Sequence, residues 1–350
     1  MLRRTLMAAA LIGAVTTPVS VQAADTINII QPSNRSMIFW PIHVSEILGY
    51  FDEEGIELNL LASDTSVPYP AFLTNRSADL AMLDGPQTFQ AVNSDLGIAT
   101  VYTVHHRAPE GVYVDEKSPI QSVTELKGKT VGLASDRDLA SLKVAMAHAG
   151  SNADGIRTVV VGDSGPVLAN VFLKGTADAF AGSITDLAAL GAQGIKVRDI
   201  TPPSAKNAPA NTYAMMADRI DELKKPLCGF FRAYSKGLEV GRANIEAVAA
   251  MSRSPKGVPE QWESASFGYG YLDAVDDLQL KPGSGKYGEV ERAPWNSVMK
   301  DMILIGEIDG EIDVNTFLSD AFTECANDFD RAEVAAEAKA WMADPANARY

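Results

Sequence analysis

The stretch Asn75-Arg76-Ser77-Ala78-Asp79-Leu80-Ala81-Met82-Leu83-Asp84-Gly85 returns, nearly in the same words, as Lys174-Gly175-Thr176-Ala177-Asp178-Ala179-Phe180-Ala181-Gly182-Ser183. In each copy a polar helix end turns through small residues into a short apolar strand. The strand breaks at glycine, and a second helical pattern follows, over Thr88 to Val92 in one copy and Thr185 to Leu190 in the other. Each copy therefore reads as a helix-strand-loop unit. In an open α/β sheet such a loop lies at the carboxyl end of its strand, where helix N-terminal amides meet ligands. Asp79 and Asp178 stand 99 residues apart, a spacing that predicts two similar lobes with a site between them.

Working outward, Thr26 to Ile30 reads as a buried strand followed by a polar loop. Pro41 opens a helix with the apolar stripe Ile42, Val44, Ile47 and Leu48, ending at Gly49. The alternation of Ile56 to Leu60 marks a second strand, and Ile98 to Val104 another. Strands alternating with helices of this length imply βαβ units and a mostly parallel sheet. From His105 to Pro119 the pattern changes, and a new series begins: Gly111 to Val114, Gly128 to Ala134, Thr158 to Val161 and Ala177 to Ala181 as strands, with Leu139 to Ala149 and Val167 to Phe172 as helices. A strand at Asn211 to Met216 follows a proline-rich loop. The last third is dominated by helical patterns, Pro226 to Ala249, Pro259 to Leu272, Trp295 to Ile305, Asn315 to Asn327 and Arg331 to Met342. It has too few strands for a sheet of its own, so it is expected to pack back onto the first lobe. The expected division is residues 24–106 with 214–350 as lobe 1, and 107–213 as lobe 2.

The chain has 350 residues, 46% apolar and 21% charged, as expected of about two packed domains. Residues 1–23 read as a secretory signal peptide: Arg3 and Arg4, an apolar run from Leu6 to Val15, and a small-residue cleavage site at Val21-Gln22-Ala23. A membrane anchor needs ~20 apolar residues, more than this run supplies. No cysteine stands near the cleavage site, which argues against a lipid anchor. The formal net charge is −15, or −17 once Arg3 and Arg4 leave with the signal. So acidic a chain is not expected to bind nucleic acid, whose phosphates call for clustered Lys and Arg. Cys228 and Cys325 lie on helical segments 97 residues apart, and either a disulfide or two buried thiols fits the sequence.

Three segments carry a resemblance. Gly49-Tyr50-Phe51-Asp52-Glu53-Glu54-Gly55-Ile56 resembles the GYF-x-x-x-G segment of periplasmic solute-binding proteins for nitrate, sulfonates, taurine and the thiamine pyrimidine precursor. Glu125-Leu126-Lys127-Gly128-Lys129-Thr130-Val131 resembles that family's entry to the second lobe, and the repeated Ala-Asp phrase resembles its paired ligand loops. With the tail from Trp295 to Ile308, the resemblance spans the chain after its signal. It implies an α/β, type II periplasmic-binding-protein fold: two lobes, parallel-dominated sheets and two hinge crossings. It also implies a periplasmic monomer that closes on a small-molecule ligand. The expected partners are the permease and ATPase subunits of an ABC transporter in the inner membrane, and no cofactor or metal is expected.

Carried over residue by residue, the family's ligand loops fall on Asn34, Ser36, Met37, Phe39 and Trp40, then on Asp84, Gly85, Pro86 and Gln87. In lobe 2 they fall on Ser135, Asp136 and Arg137, on Asp163 and Ser164, and on Gly182 and Ser183, with His105 and Tyr213 near the crossings. The amides of Gly85 and Gly182 are the expected donors. Trp40 and Phe39 offer stacking surfaces, with core packing as the competing reading; Arg137 suits a carboxylate, sulfonate or phosphate, with a surface salt bridge to Asp136 or Asp138 as the alternative. The aromatics near these loops point to an aromatic or heterocyclic ligand, with an organic sulfonate close behind.

Signals of catalysis fail on inspection. Gly162-Asp163-Ser164-Gly165-Pro166 resembles a serine-protease phrase, but it follows a strand of an α/β lobe and lacks the all-β setting of that triad. Gly128-Lys129-Thr130 ends like a P-loop, yet Val123 occupies the place of its first glycine. A calcium loop centred on Gly310 would begin at Ile305 and end at Thr316, without the necessary carboxylates. Adjacent His105 and His106 on a strand point to opposite faces and seldom share one ion. An enzyme related to thiamine pyrimidine synthases is the alternative on the same fold, but the cysteine-rich motif of those enzymes is missing from this sequence.

Overall fold

A computed structural model describes residues 24–33, 35–61, 68–162, 165–262, 264–279 and 285–350. The first sheet is built from β1 (Asp25–Ile30), β2 (Ile56–Leu61), β3 (Leu80–Leu83) and β4 (Ile98–His105). The second contains β5 (Glu110–Asp115), β6 (Thr130–Leu133), β7 (Arg157–Val160), β8 (Ala179–Ser183) and β9 (Val197–Asp199). β10 (Ala210–Met216) returns to the first. The orders are β2-β1-β3-β10-β4 and β7-β6-β8-β5-β9.

These orders are the same permutation. In each sheet the strand inserted next to last is the first one after the chain has crossed over from the other lobe, and it runs against its two neighbours. The remaining four share one direction. The expectation of parallel-dominated sheets therefore describes strand direction, while each sheet is mixed in its pairing. β10 pairs with β3 and β4 along its length, so residues 210–213, which the sequence reading assigns to lobe 2, pair within the first sheet. The crossings are thus 106–109 and 200–209. They run side by side, with Ala108 N donating to Lys206 O at 3.1 Å.

The repeated aspartates explain why the phrase recurs. Asp79 accepts from Asn28 N at 2.9 Å, and its own N–H donates to Asn28 O at 2.8 Å. Asp178 makes the same pair with Thr130, at 2.9 and 2.8 Å. In each lobe the carboxylate thus pins the start of the central strand, β3 or β8, to its parallel neighbour, β1 or β6. That fixes the register, and with it which side chains reach the carboxyl ends of the strands.

The tail does more than cover the first lobe. Its long helix, Lys224–Ala243, supplies Phe230, Phe231 and Tyr234 to the largest core, where they meet Tyr102 and Tyr213. Asn244, in extended conformation, separates that helix from Ile245–Arg253 and so breaks the single pattern expected there. The 315–327 segment, expected to be helical, is mostly turns with a short helix, Thr323–Ala326. Cys325 in that short helix is joined to Cys228, with Cα atoms 5.4 Å apart. The tail also touches lobe 2: helix Ala265–Asp276 packs on Ile184–Ala192, and Asp301 of Arg292–Leu304 meets His148 Nε2 at 2.9 Å. Among the described residues no helix is long and apolar enough to cross a membrane.

Candidate functional site

Between the two sheets lies a cleft of about 1200 Å³. Its wall is made by loops at the carboxyl ends of strands in both lobes, as the sheet order requires at a topological switch point. From lobe 1 come Ser36, Phe39 and Asp84 to Gln87; from lobe 2 come Ser135 to Asp138, Ser183 and Asp186.

Each loop is locally determined. Asp84 caps helix Gly85–Asn93: its Oδ1 accepts from Gln87 N at 2.7 Å, and Gln87 Oε1 accepts in turn from Asp84 N at 3.3 Å. Ser183 caps Ile184–Ala192, with Asp186 Oδ2 accepting from Ser183 N at 2.9 Å. Asp138 closes the third loop, its Oδ2 accepting from Ser135 N at 2.7 Å and from Ser135 Oγ at 2.8 Å. Gly85 is required by a close approach, because a Cβ there would lie 2.8 Å from Val298 Cγ1 on the tail helix.

The charge of the wall is one-sided. Burial pushes the Asp84 and Asp138 carboxyls above the ordinary carboxylate range. Glu110, the first residue after the crossing, is pushed up to about 8, chiefly by burial and then by the negative charges of Asp138 and Asp84. Arg137 opposes this from an exposed position on the lip. Lys143 is held by Glu307 at 3.7 Å.

Of the residues singled out in the sequence, Ser36, Phe39, Asp84, Gly85, Pro86, Gln87, Ser135, Asp136, Arg137 and Ser183 share this wall. Asn34, Asp163 and Ser164 lie outside the described residues. Five others are corrected by the structure, which places them off the wall. Met37 is in the core, and Trp40, 1% exposed, packs where an added Cβ on Gly241 would meet its ring. Tyr213 is at the centre of the aromatic cluster, its hydroxyl donating to Gln31 Oε1 at 3.2 Å. Gly182 is inside β8, opposite Gly111 of β5, so its amide belongs to the sheet rather than to a ligand loop. His105 stacks behind Phe39, with ring centroids 6.1 Å apart, and accepts from Asn211 Nδ2 at 2.9 Å. Burial lowers it to about 3 and His106 to about 4, so both are neutral.

The sequence reading missed Glu110, Asp138, Asp186, Tyr69, Gln261 and Tyr271, all on the wall. Ser183-x-x-Asp186 is a visible capping pattern and could have been found. Tyr271 shares a hydrogen bond with Ser36 Oγ at 3.1 Å across 235 residues, and no local signal announces that. Among the described residues no group of three or more His, Cys, Asp or Glu is placed to hold a metal ion.

Residues 37–246 match the model of the family described as NMT1/THI5 like. The chain belongs to that family. No curated protein sequence is significantly similar to this NMT1/THI5-like chain. Among solved structures it is similar to the periplasmic aliphatic sulphonate binding protein SsuA from Escherichia coli, at 18% identity and TM-score 0.65, over 85% of this chain and 92% of that one. The putative periplasmic sulfonate-binding protein SsuA from Methylobacillus flagellatus KT is similar at 14% identity and TM-score 0.63, over 87% and 94%. The desulfurization enzyme DSZB shares the fold too, at 13% identity and TM-score 0.60, over 86% and 98%. At these identities the likeness establishes the periplasmic-binding-protein fold of the NMT1/THI5-like chain.

Proposed function

We propose that this chain is a non-enzymatic solute receptor: it closes its two lobes on a small organic ligand and delivers it to the permease and ATPase subunits of an ABC importer. The observation that carries the reading is the cleft itself, walled by matching loops of two lobes that are joined by two adjacent crossings. A ligand touching both walls stabilises the closed arrangement by its differential contacts, which is what a receptor for a transporter needs. The periplasmic placement of the sulfonate-binding neighbours is in keeping with the signal-like residues 1–23. Ser36, Phe39, Asp84 to Gln87, Ser135 to Arg137 and Ser183 are the proposed contacts, joined by Tyr271. Phe39 and Tyr271 favour an aromatic or heterocyclic body over a small inorganic ion. The fold shared with DSZB keeps an enzyme as the second reading; against it, both cysteines are joined to each other in the tail, away from the wall.

The test is calorimetry and thermal shift on the chain from Ala24 onward, against aromatic acids and amines, pyrimidines, flavins, taurine and alkanesulfonates, with mass spectrometry of any co-purifying compound. Saturable one-to-one binding without turnover is expected. Turnover of a bound compound would transfer the protein to the enzyme class, and silence across the whole panel would remove the receptor reading.

A further inference from the structure

A helix N-terminus serves an anion when its N–H groups are free to point at it. Three loops of this cleft do the opposite. The amides of Gln87, Ser135 and Ser183 are closed by the chain's own carboxylates, Asp84, Asp138 and Asp186, at 2.7, 2.7 and 2.9 Å. In each loop the carboxyl group that closes the amide stands on the wall itself. Glu110 stands with them on that wall, and its carboxyl has no ion pair or hydrogen bond to another residue among the described residues. The wall's two basic side chains do not offset this: Lys143 is engaged by Glu307 and Arg137 is exposed at the lip. A second observation points to a ligand. Tyr69, on the wall and 1% exposed, has a hydroxyl without a partner among the described residues, a buried polar group that can accept from a ligand N–H or donate to it. Phe39 and Tyr271 supply ring faces of the kind that attract cations.

Resting on the receptor reading above, we propose that the cleft takes an organic cation, an apolar body carrying a protonated amine or amidinium nitrogen, and disfavours anions. The nitrogen would sit among Glu110, Asp84 and Asp138, the groups whose mutual repulsion it relieves. Arg137 acts on Glu110, Asp186 and Asp199 act with Glu110 on the buried Tyr113 hydroxyl, and Asp136, Asp301, Glu307 and Lys143 are further charged groups on the wall. The raised Glu110 carboxyl supports the same placement: binding a cation favours its ionised form, so a proton leaves as the ligand enters.

The experiment uses the chain from Ala24 onward and a matched aromatic series: benzylamine and benzamidine as cations, benzyl alcohol as neutral, benzoate and benzenesulfonate as anions, titrated at pH 7 in two buffers of different ionisation enthalpy. Benzamidine is expected to bind about 10-fold or more tightly than benzenesulfonate, with proton release. Glu110→Gln is expected to cut benzamidine affinity by about 10-fold and to abolish the buffer dependence. Asp138→Asn is the second variant should Glu110→Gln fail to fold, as judged by circular dichroism. Equal or tighter binding of benzenesulfonate, or benzamidine affinity unchanged in the variants, overturns the inference. If anions alone bind, the receptor reading survives and the charge inference falls. If neither this series nor the wider panel binds, the receptor reading falls and takes the inference with it.

Discussion

The two copies of the Ala-Asp unit are alike where they build the sheet and different where they face the cleft. Asp79 and Asp178 make the same two hydrogen bonds to the neighbouring parallel strand, at matching distances. Five residues later the copies part. The first uses a carboxylate as the helix cap and an amide three positions on; the second uses a hydroxyl as the cap and places the carboxylate three positions on. Both choices close the helix end and both leave an aspartate at the cleft. The sheet tolerates one solution to strand register, whereas the loop accepts any pair that satisfies the amides.

The lobes also differ in what secures them, and the largest expected effect tests that difference. Lobe 1 has the Cys228–Cys325 link around 97 residues, while lobe 2 contains no cysteine. In the chain-entropy model, Cys228→Ser with Cys325→Ser should lower stability by about 4–5 kcal/mol. Urea unfolding followed by tryptophan fluorescence measures it, and a loss below about 1 kcal/mol would show that the tail holds lobe 1 without the link.

Next in size is the register clamp. Asp79 is 12% exposed and also bonded to Arg219 at 2.8 Å, so Asp79→Ala leaves the Asn28 N–H without its acceptor and takes from the half-buried Arg219 guanidinium one of its two carboxylate partners, the other being Glu222 at 3.0 Å. A loss of about 2–3 kcal/mol is expected. Asp178 is 40% exposed and its lysine stands 4.0 Å away, so Asp178→Ala should cost about 1 kcal/mol. Equal losses at the two positions would mean that the strand bond alone, and not its setting, sets the energy.

The buried histidines and the Glu110 carboxyl should respond to pH in opposite senses. His43, on the first lobe's Trp40–Leu48 helix, is lowered to about 3 by burial and then by Arg35, and His105 and His106 are lowered to about 3 and 4 by burial. Their folded values lie below 6.5, so the unfolded chain takes up protons first, and stability falls as pH drops from about 6.5 toward 3. Glu110 is raised from 4.5 to about 8, so the folded chain holds its proton longer and stability falls as pH rises through that interval. Glu110→Gln should therefore move the pH of maximal stability upward, measured by urea midpoints between pH 5 and 9. An unmoved maximum would place the alkaline loss elsewhere.

The smallest effect is the most direct test of equivalence. Asp84→Ala alone should cost about 1 kcal/mol by removing the cap. Asp84→Ser with Gln87→Asp rewrites the first loop in the second loop's pattern and should change stability by less than about 0.5 kcal/mol. A larger loss would show that Asp84 is fixed by something in the cleft beyond the cap.

The sequence determined the elements and their pairing into two like lobes, because hydrophobic period, glycine breaks and the repeated Ala-Asp phrase are local signals that the backbone must obey. It also marked the loops around Asp84, Ser135 and Ser183, since caps are written within four residues. Only the tertiary structure decided which of the marked residues face the cleft. Trp40 and Tyr213 looked like ligand platforms beside polar loops, yet a strand or helix turns half its side chains inward, and these two are on the inward half. Tyr271 and Gln261 reach Ser36 from more than 200 residues away. Glu110, Asp84 and Asp138 become a charged cluster only because two sheets approach each other. Local sequence fixes periodicity and capping, while proximity between distant segments, and the field it creates, exists only once the chain has folded.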